Sequence, residues 1–204
     1  IGINNIAIGM CAMAGLQAGQ ADRNVAIGVN ALYGVTATVG DDNVAIGSGP
    51  LAALTTGLCN IAIGLNTANA LTTGYLNIAL GMNAMGASTT SNFSIAIGAC
   101  ALGCCTMAGG DCNIAIGYLA GARMKTGDKN LFLGNQAGRN ATTGNHNIAV
   151  GESAMGTGTI TGNSNVGIGQ TVMTVLTTGY QNVAIGLNTY AGAAAGADNI
   201  AIGN

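Results

Sequence analysis

The pentapeptide Asn60-Ile61-Ala62-Ile63-Gly64 returns, with small changes, twelve times along the 204 residues of the chain. Its first residue, the anchor, falls at Asn5, Asn24, Asn43, Asn60, Asn77, Ser94, Asn113, Asn130, Asn147, Asn165, Asn182 and Asn199, so successive copies lie 17, 18 or 19 residues apart. A fixed period of this size dictates an array, because one such unit cannot bury an apolar face alone and must stack on its neighbours. The whole chain, residues 1–204, therefore reads as a single repeat array.

Columns of the alignment assign roles. The positions one and three after the anchor are Ile, Val or Leu in every copy, and side chains two apart share one face of a strand. Ile61 and Ile63, and likewise Ile114 and Ile116, are expected to form the core. Gly occupies the fourth position in all copies, from Gly9 to Gly203, which suggests a sharp turn or a backbone approach with no room for a Cβ. Gly64 and Gly117 are thus turn residues, and Asn60 and Asn113 are expected to line stacked amide ladders at the turns. The small position between the two Ile columns, Ala62 or Ala115, is expected to face a close neighbour, either another chain or another strand layer; Phe132 stands there in one copy, in place of Ala. The fold class is all-β, a parallel β-solenoid or β-roll of about twelve coils.

Composition agrees with a solenoid better than with a compact domain. With 35 Gly, no Trp and two Phe, the chain is poorly supplied for an ordinary core. At about 4.8 Å per coil, the steps between anchors make a rod on the order of 50 Å long. Gly, Asn and Thr interrupt the apolar residues every few positions, so no run approaches the roughly 20 residues that span a bilayer as a helix, and no membrane insertion is expected. A net charge of −2 argues against nucleic acid. Four of the five basic residues, Arg123, Lys125, Lys129 and Arg139, fall close together, and read as solvated turns or as a local anion-binding patch. The six cysteines show no disulfide framework: Cys11 and Cys100 share one column several coils apart, Cys59 and Cys112 another, and no CxxC pair occurs. They read as small buried or half-buried side chains. Ile1-Gly2 matches the end of a preceding unit and Ile202-Gly203-Asn204 stops inside one, so the array reads as an excerpt of a longer fibrous protein.

The unit Asn-Ile/Val-Ala-Ile-Gly resembles the head repeat of trimeric autotransporter adhesins. The longer form with a Thr-Thr-Gly turn, as in Asn60 to Gly74 and Asn130 to Gly144, is similar to repeats of bacteriophage tail fibres. The resemblance covers the whole chain. It implies a left-handed parallel β-roll, three chains wound into a homotrimer, placed extracellularly or on a virion surface and used for attachment to a host-surface glycan or protein receptor. Adhesin heads use shorter units than this chain does.

Catalytic chemistry finds little support. His146 is the single histidine, and the acidic residues Asp22, Asp41, Asp42, Asp111, Asp128 and Asp198 gather in the turn before the anchor without forming a ligand pattern. No Walker loop, dinucleotide fingerprint, zinc spacing or calcium-binding β-roll signature occurs. No enzyme activity, cofactor or metal is expected. The function expected is that of a structural fibre or adhesin-like segment that extends and presents an attachment surface. The alternative is a single-chain solenoid whose Thr face binds ice or another regular surface, because Thr56, Thr73 and Thr90 recur four residues before successive anchors, as do Thr126, Thr143, Thr161 and Thr178. Tyr75 and Tyr180 share an exposed column, six coils apart, as candidates for carbohydrate stacking.

Overall fold

A computed structural model of the chain describes residues 2–15, 21–34, 40–104, 107–192 and 194–204. Each copy of the pentapeptide forms one three-residue strand: β1 (Ile6–Ile8), β2 (Val25–Ile27), β3 (Val44–Ile46), β4 (Ile61–Ile63), β5 (Ile78–Leu80), β6 (Ile95–Ile97), β7 (Ile114–Ile116), β8 (Leu131–Leu133), β9 (Ile148–Val150), β10 (Val166–Ile168), β11 (Val183–Ile185) and β12 (Ile200–Ile202). They make one parallel sheet in sequence order, with each column in register, as Ile61 beside Ile78, Ala62 beside Ala79 and Ile63 beside Leu80. The result is a parallel β-solenoid of about 11 turns, with no helix among the described residues. The extra residues of the first two coils, at 16–20 and 35–39, lie outside the described residues.

The glycine that ends each strand is required by the stack. Gly64 has φ +137°, and a Cβ placed on it would stand 2.9 Å from the carbonyl oxygen of Gly81 in the next coil. The same holds at Gly134, where the carbonyl oxygen of Gly151 would be 2.6 Å away. Both the backbone conformation and the spacing exclude a side chain.

The strand faces are the reverse of those expected from the apolar columns. Ala62 and Ala115 are fully buried, whereas Ile61 and Ile63 are 37% and 38% exposed and Ile114 and Ile116 are half-buried on the outer side. Ile61, Ile63, Ile114 and Ile116 therefore do not form the coil's core, and Ala62, Ala115 and Phe132 are closed off inside the chain rather than open to another one. The physical reason lies in the rest of the coil. Leu32, Leu51, Met85 and Leu102, eight residues after their anchors, and Leu54, Leu71 and Met124, eleven after, all point into the same core. With long side chains supplied from the turns, the narrow interior leaves room for only a methyl group from the strand.

Phe132 is consistent with this rule, because its coil makes space for it. The long residue eight after the anchor is replaced by Gly121 in the coil of β7 and by Gly138 in the coil of β8. A Cβ on Gly121 would stand 2.7 Å from Cδ2 of Phe132, and one on Gly138 2.7 Å from its Cγ. The ring fills the volume that two missing side chains vacate, and is fully buried. Gly167 in β10 repeats the exchange on a smaller scale, with Val172 and Met155 closing over the place of the absent methyl. Pro50 sits at a column whose N–H elsewhere makes only a local turn bond, as from Ala84 to Gly81, so no bond between coils is lost.

Candidate functional site

Stacking coils of this composition leaves three surfaces whose chemistry differs: the outer side of the strands, the corner before the anchor, and the turns on the far side. The first is apolar. Two files of Ile, Val and Leu, one on either side of the buried Ala file, run along all the strands and carry no charged or polar residue. Met10, Val29, Leu65 and Met82, two residues beyond the strand ends, are exposed and widen the strip in the first half of the rod.

The corner is built on two ladders. The inner one is made by the anchors: Asn60 Nδ2 donates to the carbonyl of Gly74 across the coil at 2.8 Å, and its Oδ1 accepts from the backbone N–H of Asn77 at 3.1 Å and from Asn77 Nδ2 at 3.0 Å. Asn113 makes the same bonds with Gly127 and Asn130. Each buried anchor amide donates to the carbonyl three residues before the next anchor and accepts from that next anchor, and among the described residues no buried side-chain nitrogen or oxygen lacks a partner. Ser94 keeps part of this pattern. Its Oγ accepts from the N–H of Asn113 at 3.2 Å and donates to Asn92.

The outer ladder escaped the sequence reading. Two residues before the anchor, Asp41 Oδ1 accepts from the N–H of Asp22 at 2.8 Å, Asp111 from Asn92 at 2.9 Å, Asp128 from Asp111 at 2.8 Å and Asn145 from Asp128 at 2.7 Å. The gathering of acidic residues in this turn was visible in the sequence; it marks backbone capping, with each carboxylate serving the coil before it. One residue later, every coil has a positive φ without glycine, from 60° at Asn4 through 56° at Leu76 and 57° at His146 to 57° at Asp198. The fold imposes a left-handed corner on whatever side chain stands there, and the N–H of that residue bonds to the preceding coil, as Leu76 does to Leu58 at 3.1 Å.

Arg23 lies at this corner and donates from Nε to Asp42 at 2.6 Å, with Nη2 also reaching Asp41 at 3.4 Å. These are the ion pairs of the described residues. The hydrogen bond from Arg23, followed by the attraction of its charge, holds the Asp42 carboxyl below its ordinary value, and the guanidinium is correspondingly raised.

On the far side, Thr56, Thr73 and Thr90 form an exposed file, and Thr126, Thr143, Thr161 and Thr178 are exposed in the same column. The neighbouring file is tied down: Thr55 Oγ1 donates to the carbonyl of Thr72 at 3.0 Å, and Thr72 Oγ1 to that of Thr89 at 2.9 Å. Tyr75 and Tyr180 are both exposed and far apart, but Tyr75 has an aromatic neighbour that its own column does not reveal. Phe93 meets it edge-on, with ring centroids 5.1 Å apart and planes at 77°. Their positions in adjacent columns of adjacent coils carry that signal in the sequence.

Cys59 and Cys100 are half-buried, while Cys11, Cys104 and Cys112 are exposed, so none of these five is buried as a small core residue; Cys105 lies outside the described residues. Among the described residues, no three His, Cys, Asp or Glu side chains converge on a metal position, and no helix is long and apolar enough to cross a membrane. Compared with protein-family models, with curated proteins and with solved structures, the chain matches none.

Proposed function

We propose that this chain is a segment of a trimeric surface fibre, extending and presenting an attachment surface at the outside of a cell or virion. The observation that carries the reading is the outward Ile strip. A strip about 50 Å long and about 10 Å wide offers on the order of 500 Å² of apolar surface per chain, the size of patch that often marks an interaction site. Other copies of the same chain are the fitting occupant, since their residues repeat at the same step along the rod and neither face carries a charge to desolvate. A threefold arrangement divides the strip naturally, with one Ile file turned toward each neighbour. The sequence resemblance to tail-fibre and adhesin-head repeats supports the same assembly, and with it a left-handed coil and a host-surface glycan or protein as receptor.

Sedimentation of the chain at micromolar concentration tests the assembly. The reading expects an elongated species of three times 19.8 kDa. A monodisperse monomer would overturn it.

A further inference from the structure

Three of the five cations of this chain line one depression of the far side, among coils of unequal length. Ser94 to Asn113 is 19 residues and Asn147 to Asn165 is 18, whereas the two coils between them, from Asn113 and Asn130, have 17 each. Strands β6 to β9 stay in register throughout, so the difference in coil length is carried by the turns. In the first long coil Cys104 still donates to the carbonyl of Ala122 at 2.9 Å and Met107 accepts from Thr89, and the residues between them lie outside the described ones. In the second the surplus falls between Thr157, which accepts from Asn140 Nδ2 at 3.0 Å, and Ile160, which accepts from the N–H of Thr142 at 3.1 Å. Two regular coils are thus flanked by two longer ones, and between them opens a groove of about 410 Å³.

Cys104 and Thr159 come from the longer coils; Arg123, Lys125, Arg139, Asn140 and Thr142 come from the regular ones. Arg123 and Lys125 are exposed and Arg139 is half-buried, its guanidinium donating to Gln136 Oε1 at 3.1 Å. No acidic residue lines the groove, and none of these three cations has an ion pair among the described residues. Three positive charges thus line one groove in a chain of net charge −2. The like charges repel, and an anion seated between them relieves that repulsion while two guanidinium forks supply paired donors for an oxyanion.

We propose that this groove binds an acidic saccharide, a short glycan bearing carboxylate or sulfate groups. The volume suits a small ligand rather than a protein surface. The amide of Asn140 and the hydroxyls of Thr142 and Thr159 match sugar hydroxyls, and the lining has no aromatic ring on which a nucleobase would stack. The proposal deepens the reading of the chain as an attachment surface by naming the place and the chemistry of the ligand. It is nonetheless separable from trimer formation, which sedimentation without ligand reports on its own.

The test is calorimetric titration of the native protein with trigalacturonate and with a sulfated trisaccharide, against neutral maltotriose and a short single-stranded oligonucleotide. Binding of either acidic saccharide is expected, weakening as salt is added, with no binding of maltotriose. The combined variant Arg123→Gln, Lys125→Gln, Arg139→Gln is expected to lose affinity by about tenfold or more while keeping the native circular dichroism and sedimentation. Lys129→Gln, at the corner and outside the groove, is expected to bind as the native chain does. Absence of binding at millimolar acidic saccharide, equal binding of maltotriose, tighter binding of the oligonucleotide, or undiminished affinity in the combined variant would each overturn the assignment.

Discussion

Phe132 and the two glycines beside it form an exchange of volume that mutagenesis can take apart. Phe132→Ala removes a fully buried ring, and the two adjacent glycines leave nothing to collapse into the space, so the loss is expected to be about 3–5 kcal/mol. Gly138→Met alone places a Cβ 2.7 Å from Cγ of the ring and is expected to cost about 1–3 kcal/mol by overpacking. Independent effects would sum to about 4–8 kcal/mol. Together, however, the two changes recreate the pattern of the next coil, where Ala149 and Met155 fill the same places and Met155 holds φ 51°. The double variant is therefore expected to lose only about 2 kcal/mol, and to recover further when Gly121→Leu restores the second missing side chain. Urea denaturation at fixed protein concentration measures each of these, since association shifts apparent stability. A loss below about 1 kcal/mol in Phe132→Ala, or simple additivity in the double variant, would refute the claim that the ring occupies the coil interior.

The anchor ladder predicts that Asn60→Ala costs about 2–4 kcal/mol by urea denaturation, because the buried N–H of Asn77 and carbonyl of Gly74 lose their partners; the converse change Ser94→Asn is expected to gain about 1 kcal/mol by rebuilding the cross-coil bond. Gln181, exposed with φ 54° at the left-handed corner, is expected to be stabilising by up to about 1 kcal/mol when changed to Asn, read as a raised urea midpoint. Asp42 has its folded carboxyl lowered by Arg23, so its contribution to stability is present above the ordinary carboxylate range and is lost as pH falls through the lowered folded value. A carboxyl-carbon NMR titration is expected to show Asp42 ionised at a pH where exposed carboxyls are half protonated, and to return to ordinary behaviour in Arg23→Gln.

The repeat made the fold legible: the anchor spacing, the glycine at the strand end and the parallel stacking all follow from the column pattern, and the structure places a strand at every copy. The direction of the strand did not follow. Period-two alternation identifies two faces of a strand but not which of them is inside, and the larger, more apolar residues Ile61 and Ile63 point to the wrong one when the strand is considered alone. The decision belongs to Leu51, Leu54, Leu71 and Met85, which enter the interior from turns where periodicity gives no warning. Their two columns, read together with Gly121, Gly138 and Phe132, contain the answer, since volume gained in one column is given up in another. The groove around Arg123 was visible only as a charge cluster, because its lining is gathered from the turns of several stacked coils.

The central claim is that the strand turns Ala inward and Ile outward, onto other copies of the chain. Ala96 and Ile97 in β6 are adjacent, and with Ile114 in β7 they allow one sedimentation experiment to decide it. The variant Ile97→Lys, Ile114→Lys is expected to run as a single folded species of 19.8 kDa, because the charges prevent assembly while leaving the coil interior untouched; Ala96→Lys, with a charge inside the coil, is expected to give unfolded or aggregated material. A folded trimer from the Ile variant, or a folded chain from Ala96→Lys, would contradict the account.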